Sequence, residues 1–135
     1  MGVMIRIENY MVNDLVCFVD PDTGIREFHN LEPEDFVAGK KFLECLEPVL
    51  ITKDIVLKIA DYTSDSNEVY KLICIEKNRG NLGVFCNIRI YRDGTFRVYA
   101  GDDTIPTIRI EKNIRYAHEL QHIFKELGIK RIIKT

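Results

Sequence analysis

The sequence predicts a single α+β domain over residues 1–135: an antiparallel β-meander of four to five strands, an N-terminal β-hairpin and two packing helices. Three observations carry that expectation. Two short loops ending in glycine, Asn78-Arg79-Gly80 and Arg92-Asp93-Gly94, separate β-rich runs. Read as three-residue turns closed by a left-handed glycine, they pair Lys77 with Asn81 and Tyr91 with Thr95. That register gathers Tyr70, Leu72, Cys74, Val84, Cys86, Ile88, Ile90, Phe96 and Val98 on one face, which a one-residue slip would scramble. Apolar residues at three- and four-residue steps mark a helix on each side of the meander.

Taken in order, Val3 to Glu8 alternates as a short strand, and Asp14 to Val19 reads as a second. Asp20-Pro21-Asp22-Thr23-Gly24 has turn composition, so Ile25 to His29 returns as the partner strand of a hairpin. Pro33, followed by Glu34 and Asp35, suits the first turn of a helix. Its apolar stripe, Phe36, Val37, Phe42, Leu43, Leu46 and Val49, predicts a helix to about Glu47 that packs on the sheet and stops before Pro48. Residues 54–62 are rich in β-branched side chains and read as a strand, although Thr52 is placed to cap a helix instead. Thr63 to Asn67 is a polar loop, and the meander follows it. Its last strand is expected over residues 105–111, after a Gly101-Asp102-Asp103 turn, and Pro106 assigns it to an edge. Asn113 is the expected cap of a helix over 114–127, which Gly128 stops in the left-handed region. Residues 129–134 suit a final short strand.

Composition sets the broad class. The chain is 46% hydrophobic and 30% charged, as in an ordinary water-facing globule, and it is long enough to bury a core without metal or disulfide staples. Residues 1–66 hold 6 Lys/Arg against 13 Asp/Glu, whereas residues 67–135 hold 13 against 8. The C-terminal half therefore offers a basic surface to an anionic partner. No apolar run is long enough to span a bilayer, and the N-terminus lacks the plan of a signal peptide, so no membrane partner is expected. Cys17, Cys45, Cys74 and Cys86 form no CxxC or zinc-knuckle spacing and read as reduced residues of a cytoplasmic protein.

Two constellations carry candidate chemistry. On the second face of the meander, Arg89 stands opposite Arg97 with Lys71 diagonal to it, beside Tyr91 and Tyr99. Like charges across a ladder are destabilising, so a compensating anion is expected there. Basic faces with interleaved aromatic rings hold single-stranded nucleic acid or nucleotides, and this predicts a non-catalytic binding domain with Lys71, Arg89, Tyr91, Arg97 and Tyr99 as its site. Acidic side chains of the N-terminal half, such as Asp20, Glu32 or Asp35, are the competing partners for those arginines.

The second constellation is His118-Glu119-Leu120-Gln121-His122. It resembles the HExxH segment of zinc-dependent peptidases over these five residues. Histidines four apart share a helix face and can hold one Zn²⁺, with the glutamate as general base. The resemblance implies metal ligands His118 and His122, catalytic Glu119 and zinc as cofactor. Against it, the helix stripe Tyr116, Ala117, Leu120, Ile123, Phe124 and Leu127 turns both histidines toward solvent, and no third-ligand pattern follows. The expectation is thus a binding domain without cofactor, with a small zinc hydrolase as the alternative. A third function class is structural: pairing through the Pro106 edge or the 129–134 segment into a homo-oligomer.

Overall fold

The computed structural model describes residues 10–37, 40–77, 83–102 and 107–135. It is an α+β fold with two antiparallel sheets and, among the described residues, four helices. The expected strand at Val3–Glu8 lies outside the described residues, as does the Asn78-Arg79-Gly80 turn.

The smaller sheet begins as expected. Strands β1 (Leu15–Val19) and β2 (Arg26–Asn30) form a hairpin around a turn in which Asp20 Oδ1 accepts from the amides of Asp22 and Thr23. Gly24 closes that turn at φ 73°, a left-handed conformation that costs glycine nothing. The long helix expected to Glu47 is replaced by two short ones, α1 (Pro33–Val37) and α2 (Lys40–Glu44), and by strand β3 (Leu46–Pro48). The free edge of β1 captures β3, pairing Phe18 with Leu46 and Val16 with Pro48. Tertiary pairing here outweighs local helix preference. The expected burial of the stripe holds only in part: Leu43 and Val49 are buried, whereas α1 buries none of its residues and Val37 is 85% exposed.

Residues 54–62 are a second correction. Lys53–Leu57 is helix α3, started by Thr52, whose hydroxyl accepts from the amide of Ile55 at 3.3 Å. The strand comes afterwards, as β4 (Tyr62–Asp65), inside the stretch expected to be a loop.

Five strands then form the large sheet in simple order, β4, β5 (Val69–Lys77), β6 (Gly83–Tyr91), β7 (Phe96–Asp102) and β8 (Thr107–Ile114). Tyr91 pairs with Thr95 and Arg89 with Arg97, as the second turn requires. Across β5 and β6, however, Lys77 pairs with Gly83 rather than Asn81. A shift of two residues leaves both faces unchanged, because side chains alternate with period two. Leu72, Cys74, Val84, Cys86, Ile88 and Val98 are all buried on one face. Gly101 and Asp102, expected in a turn, extend β7 past a bulge at Ala100/Gly101. A Cβ on Gly101 would lie 1.9 Å from the Thr107 carbonyl oxygen, so only glycine fits this crossing. Strand β8 is an edge, in the place expected, while Pro106 lies outside the described residues.

Helix α4 (Ala117–Leu127) starts three residues later than expected. Asn113 belongs to β8 and caps nothing; Glu119 Oε1 instead accepts the amides of Arg115 and Tyr116. Gly128 ends the helix at φ 77°, and Ile129 N–H donates back to Phe124. Leu120, Ile123, Phe124 and Leu127 share one core with the inner face of the large sheet and with Leu15 and Cys17 of β1. Residues 129–134 pair with no strand among the described residues, contrary to expectation; Gln121 bonds their backbone at Arg131 and Ile133 instead.

Candidate functional site

Strand pairing assembles the basic face. Ser64, Lys71, Arg89, Arg97 and Asn113 stand directly opposite one another across all five strands of the large sheet. The two-residue shift thus moves Lys71 from a diagonal position to one squarely beside Arg89. Three cations occupy adjacent positions, an arrangement that opposes sheet pairing unless it is compensated. Beside them runs a row of Tyr62, Ile73, Asn87, Tyr99 and Glu111. Lys71, Arg89, Tyr91, Arg97 and Tyr99 are all half-buried.

Arg97 is the best satisfied of the three cations. Its Nε donates to Tyr99 Oη at 3.0 Å, its Nη1 to Asn113 Oδ1 at 2.9 Å, and Nη2 lies 3.5 Å from Glu111. The guanidinium of Arg89 stacks 4.3 Å from the Tyr99 ring centre, yet its Nε is buried without an acceptor among the described residues. The neighbouring Asn87 Oδ1 is likewise buried and unbonded among the described residues. Hydrogen bonding with the Tyr91 side chain, then with Arg97, holds the Tyr99 phenol below its usual pKa. The acids expected from the N-terminal half act elsewhere: Asp35 binds His29 and the amide of Glu32, and Asp20 organises its own turn. Glu111 is therefore the one carboxylate paired with this row among the described residues.

The HELQH helix differs from its expected setting. His118 is 5% exposed, packed between the rings of Tyr10 and Tyr116, and Gln121 is buried with its amide bonded to the backbone of Arg131 and Ile133. Desolvation lowers the His118 pKa, against the opposite pull of Asp14. His122 binds Asp14, its Nε2 lying 2.7 Å from Oδ2 of a carboxylate with no solvent exposure. Tyr10 packs edge-on against His118, and burial, helped by Asp14, pushes its phenol up to about 12. Tyr10 Oη, Asp14 Oδ1 and His118 Nδ1 are all buried without a protein partner among the described residues.

Sequence reasoning missed Asp14 and Tyr10 altogether. An aspartate beginning a strand carries no signal of its own, and its partner lies 108 residues away. Glu119, the expected general base, has its carboxylate engaged by two backbone amides at the helix start. Among the described residues no three His, Cys, Asp or Glu side chains converge as a metal set. Comparison with known proteins finds no matching family model, no matching curated protein and no matching solved structure. Among the described residues, no helix is long and apolar enough to cross a membrane.

Proposed function

We propose that the protein is a non-catalytic binding domain that holds an anionic partner, single-stranded nucleic acid or a nucleotide-like ligand, on the Lys71–Arg89–Arg97 face. One observation carries this reading: among the described residues, three cations in a single cross-strand row meet one carboxylate, and Arg89 Nε is buried without an acceptor. A desolvated guanidinium donor is costly unless an oxyanion completes it. Tyr91 and Tyr99 beside the row supply faces on which a base can stack. The alternative, a zinc hydrolase built on His118, Glu119 and His122, has less support, since Glu119 caps its helix and His122 binds Asp14. Four unbridged cysteines, two of them facing each other at Cys74 and Cys86, favour a reducing, cytoplasmic setting.

Salt dependence of oligonucleotide binding tests the reading. Each neutralised phosphate on a single strand contributes about −0.7 to the slope of log K against log salt. Lys71→Ala removes a cation with no ion pair among the described residues, so it should flatten the slope by about one phosphate's worth. Tyr99→Ala should cost roughly 1–3 kcal/mol of affinity if a base stacks there, at an unchanged slope. Wild-type protein that binds neither oligonucleotides nor nucleotides, with both variants merely less stable, would reject this function.

A further inference from the structure

A cleft lies beside α4, which packs on the face of the large sheet opposite the basic one. Its volume is about 540 Å³, and it is walled by the Met11–Asp14 turn, by His122 and Lys125 of α4, and by the chain from Gly128 to Ile132. Asp14 forms part of its wall. Both bonds to this buried carboxylate fall on one oxygen: Oδ2 accepts from Met11 N and from His122 Nε2, each at 2.7 Å. Oδ1 has no protein partner among the described residues. A purely structural aspartate at this depth would be expected to be satisfied on both oxygens.

The pairing with Asp14 decides what His122 offers. A neutral imidazole facing an accepting carboxylate carries its proton on Nε2 and keeps its lone pair on Nδ1. Nδ1 bonds to no described residue and is not enclosed. Lys125 lies one turn further along α4, and Lys130 lines the same cleft from the segment beyond the helix. Neither lysine has an ion-pair partner among the described residues, whereas Arg131 is occupied by Asp61 and Glu76. Asp14, already bonded to His122, is the only carboxylate in the wall among the described residues. The cleft therefore combines one fixed hydrogen-bond acceptor with two unpaired ammonium groups.

We propose that this cleft binds a small anion that carries a hydroxyl, with the hydroxyl donating to His122 Nδ1 and the negative charge resting on Lys125 and Lys130. The oriented imidazole selects for the proton, and the lysines select for the charge. An anion without a hydroxyl would meet the Nδ1 lone pair and be disfavoured, as sites built around one hydrogen bond reject analogues lacking it.

Three probes separate these features: inorganic phosphate carries both charge and hydroxyl, sulfate carries charge alone, and glycerol carries hydroxyl alone. The full chain is titrated with each while the ring nitrogens of His122 are followed by NMR. The expected result is an Nε2–H tautomer before addition and a saturable shift of Nδ1 with phosphate. Sulfate should bind at least about tenfold more weakly and glycerol should have no effect. Lys130→Ala should weaken phosphate about tenfold without changing the melting temperature. Lys71→Ala, on the other face, should leave the response intact, so failure here and failure of the sheet-face reading are distinguishable. Equal binding of sulfate would overturn the acceptor role and leave an adventitious cation patch. Equal binding of glycerol would overturn the role of the lysines. An Nδ1–H tautomer, or a ring that none of the three probes moves, would overturn the site.

Discussion

His118 is enclosed by aromatic rings, Tyr10 at 5.6 Å and Tyr116 at 5.8 Å between centroids, and its Nδ1 has no partner among the described residues. Burial holds its pKa below the 6.5 of a free imidazole. The unfolded chain therefore takes up the proton first as pH falls. Stability is fully present above about pH 6.5 and is lost progressively as acid carries the protein toward the lower folded-state value. Urea melts between about pH 7.5 and about pH 5 should show this decline, and His118→Phe, which keeps a ring but binds no proton, should flatten it. Tyr10 works at the other end of the scale. Its pKa rises from 10.0 to about 12, so the unfolded chain loses that proton first and stability falls above about pH 10. A decline below neutrality that persists unchanged in His118→Phe would assign the acid sensitivity to another group.

Helix α4 depends on Glu119 for its start. One carboxylate oxygen accepts the amides of Arg115 and Tyr116 at 2.9 and 2.8 Å, satisfying two backbone donors at the helix start. Glu119→Ala should cost about 1–2 kcal/mol in chemical denaturation, while Glu119→Gln, which retains an accepting oxygen, should cost a small fraction of that. The contrast also bears on the hydrolase alternative. A general base is lost equally in both variants, so an activity abolished by Glu119→Gln in a protein of normal stability would revive that reading. The Thr52 cap of α3 follows the same logic and was visible in the sequence. The β-branched residues after it argued for a strand, and a helix of five residues is too short to display a period.

The C-terminal segment ties the two sheets together. Ile129 and Ile133 enter the core, and Asn30 of β2 donates to the carbonyl of Ile133 at 2.8 Å. Between them, the Arg131 guanidinium donates to the carbonyls of Ile59 and Ile75 at 2.7 and 2.8 Å, and lies 2.8 Å from Asp61. Desolvation lowers the pKa of Arg131, but its hydrogen bond to Asp61 and the surrounding negative charge more than restore it. One side chain thus joins the tail to the α3–β4 connection and to β5. Arg131→Met should destabilise the domain by about 1.5–3 kcal/mol, the range for hydrogen bonds to a charged group. Deleting residues 129–135 should abolish cooperative unfolding altogether. A truncated chain that melts like the parent would return this segment to the role of an assembly strand.

Alternation along each strand is a local property and could be read from the chain alone: which residues of the meander face inward, that Arg89 opposes Arg97, and that Gly94 and Gly128 take the left-handed region. The basic and aromatic residues of the sheet face were legible for the same reason. Tertiary structure alone decided three other things. It chose between two β5–β6 registers that differ by two residues and expose identical faces, and so placed Lys71 beside Arg89. It gave Leu46–Pro48 to the open edge of β1 in place of a helix end. It also turned the apparent solvent face of α4 inward, bringing Asp14 to His122. Each of these rests on contact between segments distant in the chain, where the stabilisation comes from edge pairing and from excluding water. Neither leaves a period in the sequence from which it can be read.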